Sequence, residues 1–216
     1  MSPVALIGGG EMSPEALAAA RAHTDRIVAA DGGADKALAE GLMPEAVFGD
    51  FDSLSDRAQR EIPAERLHRI AEQDSTDFDK ALRHIEAPLI LGLGFLGARL
   101  DHQLAACNTL VRHPERRVIL TSQDSLVLLA PPSMMLDLVA GTVVSLYPMG
   151  AVEGVSDGLE WPIAGLSFYP DGVIGTSNRA LGPVEMSFTA PKMLLILPAE
   201  CLDLVIEALG RTASHW

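Results

Sequence analysis

The 216-residue chain is 48 % hydrophobic and only 5 % aromatic, and its 29 acidic and 16 basic residues give a formal net charge of −13. Such an acidic chain lacks the basic surface of a general nucleic-acid-binding protein, while its aliphatic content is sufficient for a large core. No apolar run is long enough to cross a membrane, and the N-terminus lacks the pattern of a signal peptide. Together with two distant cysteines, Cys107 and Cys201, these features predict a cytoplasmic protein in a reducing compartment.

Short aliphatic runs alternate with helix signals through the first 130 residues. Residues 3–7 form a first run before a glycine triplet, and residues 26–30 form a second one. The loop after the second run consists of Asp31, Gly32 and Gly33. Its glycines permit close approach of the backbone to a ligand, although such a loop is equally typical of a plain strand-to-helix turn. Alternating strands and helices predict an α/β domain with a mostly parallel sheet for residues 1–130.

Two carboxylates follow the next apolar run at i and i+2, in the stretch Gly49-Asp50-Phe51-Asp52-Ser53. In an extended chain, side chains at i and i+2 point the same way. Two like charges held together are unfavourable unless a cation or a proton lies between them, and Mg²⁺ prefers oxygen ligands of this kind. The motif alone is also consistent with an ordinary acidic turn after a strand.

A third acidic stretch contains Gln73, Asp74, Asp77 and Lys80 and leads into a predicted helix. Ser75 or Thr76 can cap that helix, and acids in its first turn favour it, which explains part of the stretch without any function. Capping does not explain Asp74, which precedes the cap, so we predict a metal or substrate role for it.

The fourth loop follows the strongly apolar residues 88–92 and places Arg99 and Asp101 at the start of a helix. Arg99 is suited to pairing with phosphate oxygens, whereas Asp101 is also explained by the helix dipole. In an open α/β sheet, ligands bind beyond the carboxyl ends of the strands. If the strands are parallel neighbours, the acids of all four loops converge on one metal and phosphate site: Asp31, Asp50, Asp52, Asp74 and Asp101.

The pattern changes near Pro131, where helix signals disappear and short apolar runs alternate with turn residues. This spacing predicts a small all-β unit, a sandwich or a barrel, for residues 131–216. Residues 198–209 carry helical spacing of apolar side chains and predict a short helix at the end of the chain.

Motifs in both halves resemble those of the thiamine pyrophosphokinase (thiamin diphosphokinase) family. They are DGGA from Asp31, GDFDS from Gly49, QDSTDF from Gln73, RLDH from Arg99, GLEWP from Gly158 and TSN from Thr176. The resemblance extends over roughly residues 26 to 197. This chain has Asp35, Ala98 and Arg179 where members of the family often have asparagine, glycine and an acid, respectively.

The resemblance implies a homodimeric two-domain enzyme that transfers a diphosphate group from ATP to the hydroxyethyl group of thiamine and releases AMP. The α/β domain would bind Mg²⁺ and ATP, and thiamine would lie between this domain and the β domain of the other subunit. The implied catalytic residues are Asp50, Asp52, Asp74, Asp77 and Asp101, of which the first three would bind magnesium. The implied nucleotide-binding residues are Asp31, Gly32, Gly33, Gln73, Lys80 and Arg99. The implied thiamine-binding residues are Trp161, Ser177 and Asn178.

Three other functions are compatible with part of the pattern. A related diphosphokinase for another alcohol, such as a hydroxymethylpterin, would share the acid motifs but would lack the segments at Trp161 and Asn178. A haloacid-dehalogenase-like phosphatase would share the Asp-x-Asp loop, although that loop usually lies near the N-terminus. A non-catalytic sensor of thiamine or a nucleotide would have little need for so many carboxylates.

Overall fold

The computed structural model describes residues 2–97, 99–212 and 216, and it divides into two compact units. The first unit comprises residues 1–109 and 116–123, and the second comprises residues 110–115 and 124–216. The chain passes finally into the second unit at Asp124, earlier than the boundary that we predicted near Pro131. The reason is that the apolar run before Pro131 pairs with a strand of the second unit.

The described residues of the first unit form six strands, all parallel, in the order β6-β5-β1-β2-β3-β4. Four of them are buried along their whole length, as expected for a parallel sheet that is covered on both faces. This confirms the predicted α/β architecture. The strands are β1 (Val4–Ile7), β2 (Ile27–Ala30), β3 (Ala46–Gly49), β4 (Leu67–Arg69), β5 (Ile90–Leu93) and β6 (Val118–Thr121).

Side chains cap the start of several helices that alternate with these strands, and Thr76 is one of the two caps predicted for its helix. The side chains of Ser13, Ser55 and Thr76 each accept a hydrogen bond from a backbone amide in the first turn of the following helix. A short 3₁₀ turn, Ala64–Arg66, precedes β4. The helices are α1 (Pro14–Arg21), α2 (Gly33–Ala39), α3 (Asp56–Glu61), α4 (Asp77–His84) and α5 (Leu100–Arg112).

Strand β1 is the point at which the order of the sheet reverses. The chain proceeds from β1 through β2 and β3 to β4 on one side, and it then returns to place β5 and β6 on the other side. Ligands in open α/β sheets bind at such a switch point, beyond the carboxyl ends of the strands. The loops after β1, β2, β3 and β5 lie at this edge of the sheet, and they include three of the four predicted acidic loops.

The second unit is antiparallel, in the order β11-β10-β12-β9-β13-β7, with β8 paired to β12. The long strand β12 pairs with β9 near its start and with β8 and β10 further along, with a register shift between Gly175 and Asn178. The strands are β7 (Ser125–Leu129), β8 (Ser133–Leu136), β9 (Val143–Pro148), β10 (Val152–Leu159), β11 (Ser167–Phe168), β12 (Gly175–Phe188) and β13 (Met193–Pro198).

Helix α6 (Leu202–Arg211) ends this unit after a 3₁₀ turn, as the sequence predicted. It buries one face, which includes Leu202, Val205 and Leu209. None of the helices among residues 2–97 and 99–212 is both long and apolar enough to span a bilayer.

Candidate functional site

Three carboxylates meet at the carboxyl edge of the parallel sheet. Asp31 follows β2, Asp50 follows β3, and Asp77 is the first residue of α4. The Asp31 amide donates to the Phe48 carbonyl at 2.9 Å, so that the ends of β2 and β3 stay side by side. Each acid offers one carboxylate oxygen, and the three oxygens lie within 4.8 Å of one another. Side chains that are far apart in the sequence therefore form one acidic cluster, which we call the acid cluster.

The backbone around this cluster takes unusual conformations. Asp31 and Phe51 have positive φ angles of 42° and 68°, in the left-handed region that non-glycine residues rarely occupy. At position 49 an added Cβ atom would lie 2.8 Å from the Asp31 Cβ and 3.2 Å from an Asp77 carboxylate oxygen. Glycine at this position therefore keeps open the space between two of the acids.

Asp31 is the most deeply buried acid of the cluster, with 3 % of its surface exposed. Its Oδ2 accepts a hydrogen bond from the Ser53 amide at 3.1 Å, while its buried Oδ1 has no donor among the described residues. Burial raises the pKa of Asp31 to about 6, against the opposing bond from Ser53 and with added repulsion from Asp77. A buried carboxylate oxygen without a donor is unfavourable unless a cation binds it.

Asp50 is held by hydrogen bonds on both of its oxygens. The Asp52 amide donates to Oδ1 at 3.2 Å, and Gln73 Nε2 donates to Oδ2 at 2.9 Å. Lys80 Nζ lies 3.3 Å from the same Oδ2 and 2.9 Å from Asp77 Oδ1. Burial alone raises the pKa of the Asp50 carboxyl. The hydrogen bonds outweigh burial, so this pKa lies below its usual value and Asp50 stays ionised.

The structure gathers several predicted residues into one place, but the cluster is not the predicted metal set. Of the three predicted ligands, only Asp50 is in the acid cluster. Asp52 is exposed at its border and accepts a hydrogen bond from the Ser53 hydroxyl at 2.8 Å. Asp74 is also exposed, and it is not among the clustered acids of the described residues. Their roles as metal ligands stay predictions.

Arg99 and Asp101 are exposed and form an ion pair with each other at 2.5 Å. Their assignments to the nucleotide and to catalysis stay predictions. Gly32 precedes α2, and Gly33 is its first residue. An added Cβ atom at Gly33 would lie 2.0 Å from the Ile7 carbonyl oxygen, so only glycine lets α2 start against the end of β1.

One contact at the site was not predicted from the sequence. Arg69, at the end of β4, donates from Nε to the Asp50 carbonyl at 3.1 Å. Its place at the end of the strand next to β3 is the signal that would have found it. Of the three departures from the family pattern, Asp35 accepts hydrogen bonds from the amide and hydroxyl of Ser55, and Arg179 is exposed. Ala98 lies outside the described residues.

The predicted thiamine-binding residues lie together in the second unit. The Asn178 side chain is buried, with 6 % exposed, and its amide bonds to both backbone groups of Trp161 at 3.1 and 2.7 Å. Ser177 has a positive φ of 64°, and its amide donates to Ser145 Oγ at 2.9 Å. Trp161 itself is 55 % exposed. Asn178 thus fixes the backbone that presents the Trp161 indole.

Comparisons with known proteins point to one family. Residues 18–120, which include all four acidic loops, match the family model "Thiamin pyrophosphokinase, catalytic domain". Thiamine pyrophosphokinase 1 of Arabidopsis thaliana is 26 % identical over 190 residues, which cover 72 % of this chain and 71 % of that protein. Thiamine pyrophosphokinase 1 of Oryza sativa subsp. japonica is 30 % identical over 154 residues, or 62 % of this chain and 58 % of that protein.

Solved structures share the fold across both units. Thiamine pyrophosphokinase from Bacillus subtilis matches with a TM-score of 0.75 and 22 % identity, over 91 % of this chain and 98 % of that one. Yeast thiamin pyrophosphokinase matches with a TM-score of 0.76 and 17 % identity, over 95 % of this chain and 88 % of that one. The family model, the relatives and the shared fold all support the thiamine pyrophosphokinase family for this chain.

Proposed function

We propose that this protein transfers a diphosphate group from ATP to the hydroxyethyl group of thiamine, giving thiamine diphosphate and AMP. The names of its relatives support this activity. The observation that carries the proposal within this chain is the acid cluster at the carboxyl edge of the parallel sheet. Transfer of a phosphoryl-type group depends mainly on alignment and charge neutralisation, which such a cluster is suited to organise through a metal ion.

The residues of the acid cluster fit Mg²⁺, and we propose Asp31, Asp50 and Asp77 as its ligands. All three supply hard carboxylate oxygens within 4.8 Å of one another. The unpaired Oδ1 of Asp31 and the open space at Gly49 support the same assignment. When bound, Mg²⁺ would neutralise and align the polyphosphate. Asp52, at the border of this site, and the exposed Asp74 are further proposed acids.

The chain's own side chains orient the acids before any ligand binds. Gln73 and the Asp52 amide fix Asp50, and the Ser53 amide fixes one oxygen of Asp31. Each acid therefore keeps its orientation without rearrangement when substrate binds, which favours the aligned reaction. We also propose that Arg99, which is exposed beside the start of α5, exchanges its partner Asp101 for a phosphate oxygen.

Thiamine is a cation with flat rings, and the exposed indole of Trp161 is suited to bind it. A cation on an aromatic face gains about 0.5–2 kcal/mol.

We further propose a homodimer in which each β unit supplies Trp161 to the thiamine site of the other subunit. Support comes from several other large apolar side chains that are exposed on the second unit of the single chain. They include Val139, Val143, Val155 and Leu181.

We also propose a cytoplasmic location, which the free cysteines support.

The test is to incubate the purified protein with ATP, Mg²⁺ and thiamine and to follow AMP and thiamine diphosphate. We expect both products to form in equal amounts and to require both thiamine and Mg²⁺. Replacement of thiamine by a hydroxymethylpterin should stop the reaction. Release of free phosphate without AMP would contradict the proposal in favour of a phosphatase. Tight binding of thiamine without any turnover would contradict it in favour of a sensor.

A further inference from the structure

Lys80 is buried to an extent that is rare for a lysine. Only 1 % of its surface is exposed, and it is among the largest fully buried side chains of the chain. Lysine is almost never buried in this way unless its charge is paired. Its ammonium group is paired twice, at 2.9 Å to Asp77 and at 3.3 Å to Asp50. The positive charge of Lys80 is therefore shared between two acids of the acid cluster.

The two acids that Lys80 joins belong to different parts of the sheet edge. Asp50 follows β3, whereas Asp77 begins α4, and the lysine lies one turn further along the same helix. Burial lowers the pKa of Lys80, but its bonds to the two carboxylates outweigh burial and raise it. The side chain therefore stays charged, and it connects the helix to the strand beneath it.

The backbone on either side of this connection is also anchored. The Lys80 carbonyl contacts His84 Nδ1 at 2.8 Å, and the His84 ring stacks on Phe48 at 5.3 Å between centroids. Phe48 is in β3, two residues before Asp50. Both ends of the lysine are consequently held against β3, one through the ammonium group and the other through the His84 ring.

Direct binding of the nucleotide by Lys80, which the family resemblance implied, would require the ammonium group to change its partners. The ammonium group would have to leave two buried or half-buried carboxylates in order to reach a ligand. Breaking a buried ion pair on one side is strongly unfavourable because it leaves an uncompensated charge. The geometry instead favours a role that the lysine performs without moving.

We propose that Lys80 is a positioning residue, which holds Asp50 and Asp77 in the orientation that binds a divalent cation and stays bonded to both after the cation binds. Three carboxylates and one ammonium group leave two negative charges, which one divalent cation neutralises. The inference deepens the proposed function because it takes the acid cluster as the metal site. It does not depend on thiamine being the substrate.

Titration calorimetry of Mn²⁺ binding to the purified protein tests this role. A positioning role and a mere counter-charge predict opposite changes in Mn²⁺ affinity when Lys80 is replaced. Loss of a group that orients metal ligands typically weakens metal binding, and for Lys80→Met we expect about 10–100-fold. If Lys80 were only a counter-charge, its removal would leave a more negative site and Mn²⁺ would bind more tightly. Unchanged or tighter binding by Lys80→Met would therefore overturn the proposal.

The matched control is Arg57→Met, which removes the same charge from an exposed ion pair with Glu61 on α3. We expect its Mn²⁺ affinity to stay within about 2-fold of wild type, since exposed charges at a distance are screened. An equal loss in both variants would overturn the specific role of Lys80. Because calorimetry needs no turnover, a failed AMP assay would contradict the proposed function without touching this result.

A second measurement uses the wild-type protein and holds even if Lys80→Met does not fold. Lys36, Lys80 and Lys192 are the three lysines of the chain, and Lys36 is exposed. Nitrogen-15 NMR of the ammonium groups should give a slowly exchanging signal for Lys80 that shifts with Mg²⁺ and stays slowly exchanging at saturation. A signal that is lost to fast exchange when Mg²⁺ binds would show that the lysine is released, and would overturn the proposal.

Discussion

The acid cluster of the first unit differs in its construction from the Trp161 region of the second unit, which consists of Trp161, Ser177 and Asn178. The acids are buried or half-buried, and strained backbone and a buried lysine hold them in place. Trp161 presents more than half of its surface to solvent, while its backbone is fixed by a buried asparagine. The first region is preorganised within one unit, whereas the second has a rigid base and an open face. From this difference we propose that the metal site is complete within the first unit, whereas the thiamine site needs a further surface.

The largest effect should come from removing one acid of the acid cluster. We expect Asp77→Asn to lower kcat about 100–1000-fold, because charge stabilisation at a preorganised site is typically worth several kcal/mol. Steady-state AMP formation measures the loss. The paired variant Asp74→Asn should lose clearly less activity, because Asp74 is exposed and outside the cluster. A larger loss of activity in Asp74→Asn than in Asp77→Asn would favour the predicted metal ligands Asp50, Asp52 and Asp74.

In the Trp161 region, the largest effect should be on stability and not on metal binding. Asn178→Ala leaves the Trp161 amide and carbonyl without their partners. Each unsatisfied buried group costs about 1–3 kcal/mol, so we expect a loss of roughly 2–4 kcal/mol in the free energy of unfolding. Urea denaturation measures this, with Asn108→Ala on the exposed face of α5 as the control. An unchanged free energy of unfolding for Asn178→Ala would contradict the role of Asn178 in fixing the Trp161 backbone.

Asp31→Asn should stabilise the metal-free protein while it weakens Mn²⁺ binding. Burial raises the pKa of Asp31 from 3.8 to about 6, so the folded state binds a proton there that the unfolded chain has released. Stability contributed at this site is therefore present below pH 3.8 and is lost as pH rises through about 6. At neutral pH the variant should gain about 1–3 kcal/mol.

Thermal or urea unfolding in the presence of a chelator measures that gain. Asp171→Asn, in an exposed loop, serves as the control for removal of one negative charge. Destabilisation of the metal-free protein by Asp31→Asn would show that the Asp31 carboxylate is structural. Stabilisation with unchanged Mn²⁺ affinity would separate it from the metal site.

The smallest effect should be on thiamine binding through the exposed ring. We expect Trp161→Ala to raise the KM for thiamine about 10-fold, because a cation–π contact is worth about 0.5–2 kcal/mol. The Mn²⁺ affinity should stay unchanged, and Trp161→Phe should recover part of the loss. Steady-state kinetics at saturating ATP measure both variants. An unchanged KM in Trp161→Ala would remove the indole from the thiamine site.

Much of the fold is predictable because its strands are buried in a simple way. Runs such as residues 27–30 and 90–93 carry no polar side chain, as is typical of parallel strands covered on both faces. Residues 125–129 form the same kind of run, but β7 pairs with β13 in the second unit. An apolar run carries no information about its partner, and the predicted boundary was placed too late for that reason.

The site was predictable as a set of loops but not as a set of facing side chains. Asp74 and Asp77 stand three residues apart, and only the start of α4 after Thr76 decides which of them faces Asp50. Lys80 is even less accessible to sequence reasoning, because helix lysines are usually exposed. Its burial follows from tertiary packing of α4 against β3, which local patterns do not encode.

Anomalous diffraction from crystals of the protein soaked with Mn²⁺ tests the central claim most directly. The account predicts one strong anomalous peak within ligand distance of the carboxylates of Asp31, Asp50 and Asp77, with Lys80 still bonded to Asp50 and Asp77. A peak held by Asp52 and Asp74 without Asp31 and Asp77, or no peak at this edge of the sheet, would contradict it.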